Sequence, residues 1–155
     1  QLLSTSYSFT FFIMKIYSQT QPSTLLHLVQ RLKDIKDLDM CEGLGRANIV
    51  PDNQFLQLAV LKLADQRSFK PHRHIYKKGE EEVIAQESWV VIEGSVKVFF
   101  YDLDNTLLQT TVLYPGDASM TFQGGHNYEA QEKNTIVYEY KTGPYYGIEH
   151  DKEFI

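Results

Sequence analysis

Glu87-Ser88-Trp89-Val90-Val91-Ile92-Glu93-Gly94, running on into Ser95-Val96-Lys97-Val98-Phe99-Phe100-Tyr101, is the stretch that decides the fold. β-Branched and aromatic residues dominate it, a composition that suits a pleated, half-buried surface. Glu93-Gly94 breaks the run, so it reads as two strands, Glu87 to Ile92 and Ser95 to Tyr101, around a turn. Val96, Val98 and Phe100 alternate along the second strand and form one face of it. On either side of this stretch the same pattern of strands and turns repeats. Phe55 to Ala64 is an apolar run suited to a buried strand. Asp102 to Asn105 is a turn, and Leu107 to Tyr114 returns as a strand. Pro115-Gly116-Asp117 is another turn, and Gly125 to Ala130 and Thr135 to Lys141 complete the set. Short strands with Gly, Asp and Asn turns predict an all-β sandwich or barrel.

The N-terminal part reads differently. Leu25, Leu28, Val29, Leu32 and Ile35 recur at helical spacing after Pro22-Ser23, with Ser23 or Thr24 as a cap, so a helix is predicted there. His27 falls within it as a surface or packing residue. Met40 to Asn53, with Gly43, Gly45, Asn48, Pro51 and Asp52, reads as a loop. Phe9, Phe11, Phe12 and Ile13 form an apolar patch without a basic segment before it or a small-residue cleavage site after it. Met14-Lys15-Ile16-Tyr17 reads as a natural start, and residues 1–13 as an extension, a cloning remnant or an added edge strand. The expected organisation is residues 1–13 as that extension, 14–45 as a helical segment packed on the barrel, and 46–155 as the barrel.

The chain has 155 residues, 43% of them hydrophobic, which suffices for one domain with a core. Its net charge of −5 mixes both signs, and no Lys/Arg-rich run suggests a nucleic-acid surface. No stretch is long and apolar enough for a membrane span. The single cysteine, Cys41, excludes an intrachain disulfide and fits a reducing, cytoplasmic setting. Asp39 and Glu42 beside it disfavour a thiolate, so it reads as a structural thiol.

The chemistry concentrates in His72-Arg73-His74, Glu87 and His126. Two histidines flanking one residue face the same way on an extended strand, with Arg73 turned away from them. A carboxylate and a third imidazole from later strands complete a set that suits one divalent ion: Fe(II), Mn(II), Ni(II) or Zn(II). His150, beside Glu149 and Asp151, reads as a tail residue. The charged stretch from Ile75 to Gln86 reads as a solvated excursion.

His-x-His, then Glu87 seven residues before Gly94, then Pro115-Gly116-Asp117 and Gly124-Gly125-His126, resemble the two motifs of the cupins. Pro71-His72-Arg73-His74, Glu87 to Gly94, Gly143-Pro144-Tyr145 and Asp151-Lys152-Glu153-Phe154 resemble the WbuC-like cupin-fold metalloproteins, which occur with O-antigen and surface-polysaccharide genes. The resemblance spans roughly residues 46–155. It implies a jelly-roll, double-stranded β-helix barrel, to which the periodicity adds an N-terminal α-helix. It also implies His72, His74, Glu87 and His126 as ligands of one divalent metal.

The sequence departs from the family pattern at several places. The family glutamate follows its second histidine closely, whereas thirteen positions lead from His74 to Glu87, so the intervening segment resembles an insertion. Glu80, Glu81 and Glu82 compete for the role; Glu87 is preferred because it begins a strand and keeps its distance to Gly94. The second motif lacks its proline, and its later asparagine is replaced by Ala130. Asn48 echoes the branch's Asn-x-His only in part, with Val50 in place of the histidine.

Function follows from the resemblance as an expectation. It is a metal-binding cupin acting on a sugar or sugar nucleotide in surface-polysaccharide biosynthesis, as an isomerase or epimerase. The alternatives are an Fe(II)-dependent cupin dioxygenase, a metal-free ketoisomerase of cupin fold, and a non-enzymatic sugar- or small-molecule-binding module. Tyr128, Tyr138 and Tyr145 are candidates for an aromatic wall against a small, sugar-like ligand, with ordinary packing as the alternative. A homodimer formed through an exposed strand edge is expected.

Overall fold

The computed structural model describes residues 13–77 and 84–155. Phe9, Phe11 and Phe12 at one end, and Glu80, Glu81 and Glu82 in the proposed insertion, lie outside the described residues. The chain divides into two compact units, Gln1–Asp39 and Met40–Ile155. No helix among the described residues is long and apolar enough to cross a membrane.

In the first unit, β1 (Met14–Tyr17) pairs antiparallel with β2 (Leu25–Val29), and one short helix, α1 (Leu32–Lys36), follows. The helix predicted from Leu25 to Ile35 is therefore a strand over its first half. The cause lies in the connection. The Ser18 amide donates to the Thr24 carbonyl at 2.9 Å, and the Thr24 amide to the Gln21 carbonyl at 2.8 Å. The Ser18 hydroxyl accepts from the Thr20 and Gln21 amides. This turn doubles the chain back, and the ladder to β1 satisfies the backbone groups that a helix would have used. Arg31, at the cap position before α1, makes no side-chain cap hydrogen bond, and the helix runs for about one turn and a half.

Among the described residues, the second unit contains ten strands. They are β3 (Leu44–Asn48), β4 (Leu56–Leu63), β5 (His72–His74), β6 (Glu87–Glu93) and β7 (Val96–Tyr101), followed by β8 (Leu107–Leu113), β9 (Ala118–Thr121), β10 (Gly125–Ala130), β11 (Thr135–Thr142) and β12 (Lys152–Phe154). They form two five-stranded antiparallel sheets, ordered β3-β4-β11-β6-β9 and β12-β5-β10-β7-β8. The region read as a loop, Met40 to Asn53, contains β3: Leu44, Arg46 and Asn48 alternate along it, and its ladder to β4 holds polar residues in extended form. β9 and β12 are short strands that periodicity missed.

The inner faces follow from alternation. Leu61, Leu63, Trp89, Val91 and Val137 from the first sheet meet Val96, Val98, Tyr128 and Ala130 from the second, all nearly inaccessible. The rings of Trp89 and Tyr128 stack across the two sheets, with centroids 3.9 Å apart and planes within 1°. Such a pair contributes about 0.5–1.5 kcal/mol beyond its burial. Gly94 turns the chain from one sheet into the other at φ +79°, with Thr135 packed where a Cβ would stand. This crossing sets Glu87 and the histidines on facing sheets.

Candidate metal centre

β5 consists of only His72, Arg73 and His74, and both histidines are buried while Arg73 is turned out to pair with Glu153. Antiparallel pairing places His126 of β10 directly opposite His72. Three imidazoles thus share the inner face of one sheet, with ring centroids 4.7–5.5 Å apart. Glu87 begins β6 in the facing sheet, and alternation points it inward with Trp89 and Val91. One ligand atom from each of His72, His74, Glu87 and His126 lies within 4.8 Å of all the others. Glu87 Oε2 is 3.1 Å from His74 Nε2, and Glu87 Oε1 is 3.2 Å from His126 Nε2.

Each histidine is held by its other nitrogen. His72 Nδ1 is 3.0 Å from the Lys70 carbonyl, and His74 Nδ1 is 3.2 Å from the Asp151 carbonyl. Both carbonyls can only accept, so both rings carry a proton on Nδ1 and aim Nε2 inward. His126 Nδ1 is 2.9 Å from the Thr121 hydroxyl. His72 Nε2 and His126 Nε2 are buried and make no hydrogen bond, the proximity of Glu87 to His126 lacking the required geometry. An orphaned buried nitrogen is costly unless something completes it. Three inward nitrogens, two of them orphaned, and one carboxylate therefore fit a divalent ion, with their outer partners fixing ring orientation.

The electrostatics separate the groups. Burial, assisted by the Lys152 charge, pushes His72 down to about 3, so its ring is neutral at pH 7. Burial opposes the charged form of His74, but hydrogen bonds to Asp151 and Glu87 outweigh it and raise this imidazole to about 9. Burial likewise disfavours the Glu87 carboxylate, yet His126 and His74 hold it well below the usual range. Asp151 goes down to about 2 against its burial, because His74 and Lys141 both favour its charge. Its Oδ2 lies 2.9 Å from Lys141 Nζ and 3.4 Å from His74 Nδ1.

A cavity of about 230 Å³ adjoins this cluster, lined by Arg46, Asn48, Glu139, Lys141, Tyr145 and Lys152 among others. None of the four clustered residues lines it, but their strand neighbours do. Lys141 stands across from Glu87 on β11, and Lys152 across from His74 on β12.

No protein-family profile and no curated protein sequence matches the chain. Solved structures do. KdgF from Halomonas sp. is 18% identical, with a TM-score of 0.54 over 70% of this chain and 86% of its own. CapF, solved with the inhibitor 3-isopropenyl-tropolone, gives a TM-score of 0.62 at 11% identity over 76% of this chain. Oxalate decarboxylase from B. subtilis gives 0.57 at 16% identity over 78%. The fold is a cupin jelly roll. This chain spans only about a third of CapF and of oxalate decarboxylase, at 33% and 31% of their lengths. Within that fold, the buried His72, His74, Glu87 and His126 could hold a metal ion.

The four residues proposed as ligands come together, and the three tyrosines do not. Tyr128 is in the core, stacked on Trp89, with its hydroxyl 3.1 Å from that of Ser119 and its ring 5.2 Å from His126. Burial raises its phenol well above the ordinary value. Tyr138 lies on the face of β11 opposite Glu139 and Lys141, so alternation turns it out of the barrel. Tyr145 lines the cavity, its ring 4.8 Å from Lys141 Nζ. His150 belongs to a single-turn helix, Ile148–His150, with its side chain 40% exposed. Sequence reasoning missed Thr121, Lys141, Arg46 and the buried role of Asp151. The signal for Asp151 was present in Asp151-Lys152-Glu153-Phe154, a stretch noted for its resemblance without a chemical part being assigned to it.

Proposed function

We propose that this protein is a metal-dependent cupin of the WbuC-like kind, acting on a sugar or sugar nucleotide in surface-polysaccharide biosynthesis as an isomerase or epimerase. The observation that carries the metal part is the pair of orphaned, buried Nε2 atoms of His72 and His126, facing Glu87 and His74. The adjoining polar cavity, with Tyr145 on its wall, supports a small oxygenated ligand. A bound ion would supply Lewis-acid polarisation of a carbonyl or hydroxyl oxygen. The chain's own residues do the rest. Lys70, Asp151 and Thr121 hold the imidazoles in place, and Trp89 and Tyr128 close the core side against water.

The test is incubation of Mn(II)-loaded protein with a panel of nucleotide sugars in D2O, followed by NMR. The expected result is deuterium wash-in at a sugar carbon, lost on chelation and in the His72→Ala/His74→Ala variant. Turnover that survives full chelation overturns the metal-dependent reading. A sugar that raises Tm but is never turned over replaces the enzyme with a binding module. Pairing of two copies through edge strand β8, which exposes Leu107 and Leu108, belongs to the same reading. Light scattering at twice the chain mass of 18.0 kDa supports it, and a monomer removes it.

A further inference from the structure

Three cations line the cavity beside the metal centre: Arg46, Lys141 and Lys152. Two of them are already matched. Arg46 reaches both carboxylate oxygens of Glu139, at 2.7 and 3.4 Å, and Glu139 also accepts from Trp89 Nε1. Lys141 is matched by Asp151 at 2.9 Å. Lys152 is in no ion pair among the described residues. Asp52, the other acidic residue on the wall, is exposed to solvent. Antiparallel partners project to the same side of a sheet, so Lys152, paired with His74, faces inward beside it. A half-buried lysine with no ion-pair partner among the described residues, on the wall of a cavity larger than one water needs, favours an anion there.

We propose that this cavity is a subsite for the carboxylate of an acidic sugar, with Lys152 as its counter-ion. The proposal deepens the sugar reading above and rests on it. The carboxylate meets Lys152, while Asn48, Glu139 and the Tyr145 ring offer a hydrogen-bond donor, an acceptor and an apolar face to the remainder of the sugar. The ligand then lies one strand away from the metal-binding residues on both sheets, next to Glu87 through Lys141 and next to His74 through Lys152.

The test is calorimetric binding of D-glucuronate, D-glucose and malonate to the full chain, both Mn(II)-loaded and metal-free. Glucuronate binding at least tenfold tighter than glucose and malonate is the expected result. That preference should fall below twofold in Lys152→Gln and return in Lys152→Arg, with Tm confirming that each variant is folded. Equal binding of glucose and glucuronate overturns the carboxylate subsite and leaves the sugar reading standing. Malonate binding as tightly as glucuronate, with glucose far weaker, keeps the subsite and removes the sugar reading. No binding by any of the three overturns both. A preference that persists in Lys152→Gln overturns the assignment of Lys152.

Discussion

Asp151→Asn in the metal-free protein probes how the C-terminal strand supports the histidine cluster. Asp151 is 2% exposed, and one of its oxygens lies 2.9 Å from Lys141 Nζ. At an effective dielectric near 20, that separation corresponds to a gross attraction of about 6 kcal/mol. Desolvation of both groups offsets much of it, and losing one partner of such a pair costs about 3–5 kcal/mol because the other charge stays buried. Asparagine keeps an acceptor oxygen, which puts the expected loss near the low end, about 3 kcal/mol. For a chain of this length that lowers Tm by about 6–12 °C. Lys141→Met should cost less, because His74 still faces the Asp151 carboxylate at 3.4 Å and can carry the balancing proton. The double variant should therefore be more stable than the sum of the single losses predicts, by roughly 1–3 kcal/mol. Urea unfolding of the four proteins measures this directly. Strictly additive losses, or an Asp151→Asn variant within about 0.5 kcal/mol of the parent, would refute the coupling.

Other consequences follow from the same geometry. Thr121→Val removes the hydroxyl partner of His126 Nδ1 while keeping the side-chain shape, and should weaken metal binding about 10–100-fold in a chelator competition; unchanged affinity would leave Thr121 with a packing role alone. His74 is raised to about 9, so an ion must displace its proton at neutral pH. Calorimetry in buffers of different ionisation enthalpy should show about one proton released per ion near pH 7.5, with affinity rising about tenfold per pH unit until about pH 9. His72, at about 3, adds nothing in that range. The same shift makes charged His74 a stabilising group in the metal-free protein. Its contribution is complete below its ordinary value of 6.5 and is lost as pH rises through about 9, so the metal-free Tm should decline across that window. A flat profile, with no proton released on metal binding, would contradict the assignment.

What the sequence revealed depended on how local each signal was. The strands at Leu56–Leu63, Glu87–Glu93, Val96–Tyr101 and Thr135–Thr142 are long and rich in β-branched and aromatic residues, so their period is readable without a structure. His72 and His74 needed only the two-residue strand period to share a face. β3 was hidden because Gly45, Arg46 and Asn48 resemble loop residues; only the ladder to β4 makes them a strand. Leu25 to Val29 has helical spacing, but a hydrogen-bonded turn from Ser18 to Thr24 commits it to pairing with β1. Tyr138 alternates away from Glu139 and Lys141, and aromatic content alone does not say which face of a strand a ring occupies. The cavity and the Lys141–Asp151 pair join β11 to the segment before β12, and periodicity carries no information about contacts between distant strands.

Four side chains drawn from two facing sheets are placed to hold one ion. Elemental analysis of the purified protein beside its His72→Ala/His74→Ala variant decides whether they do, with both first stripped and then reloaded with Mn(II), Fe(II), Ni(II) or Zn(II) in turn. The prediction is one ion per chain in the parent and none in the variant, for at least one of these metals. Equal metal content in the two proteins, or no retained metal in the parent under any loading condition, would contradict it.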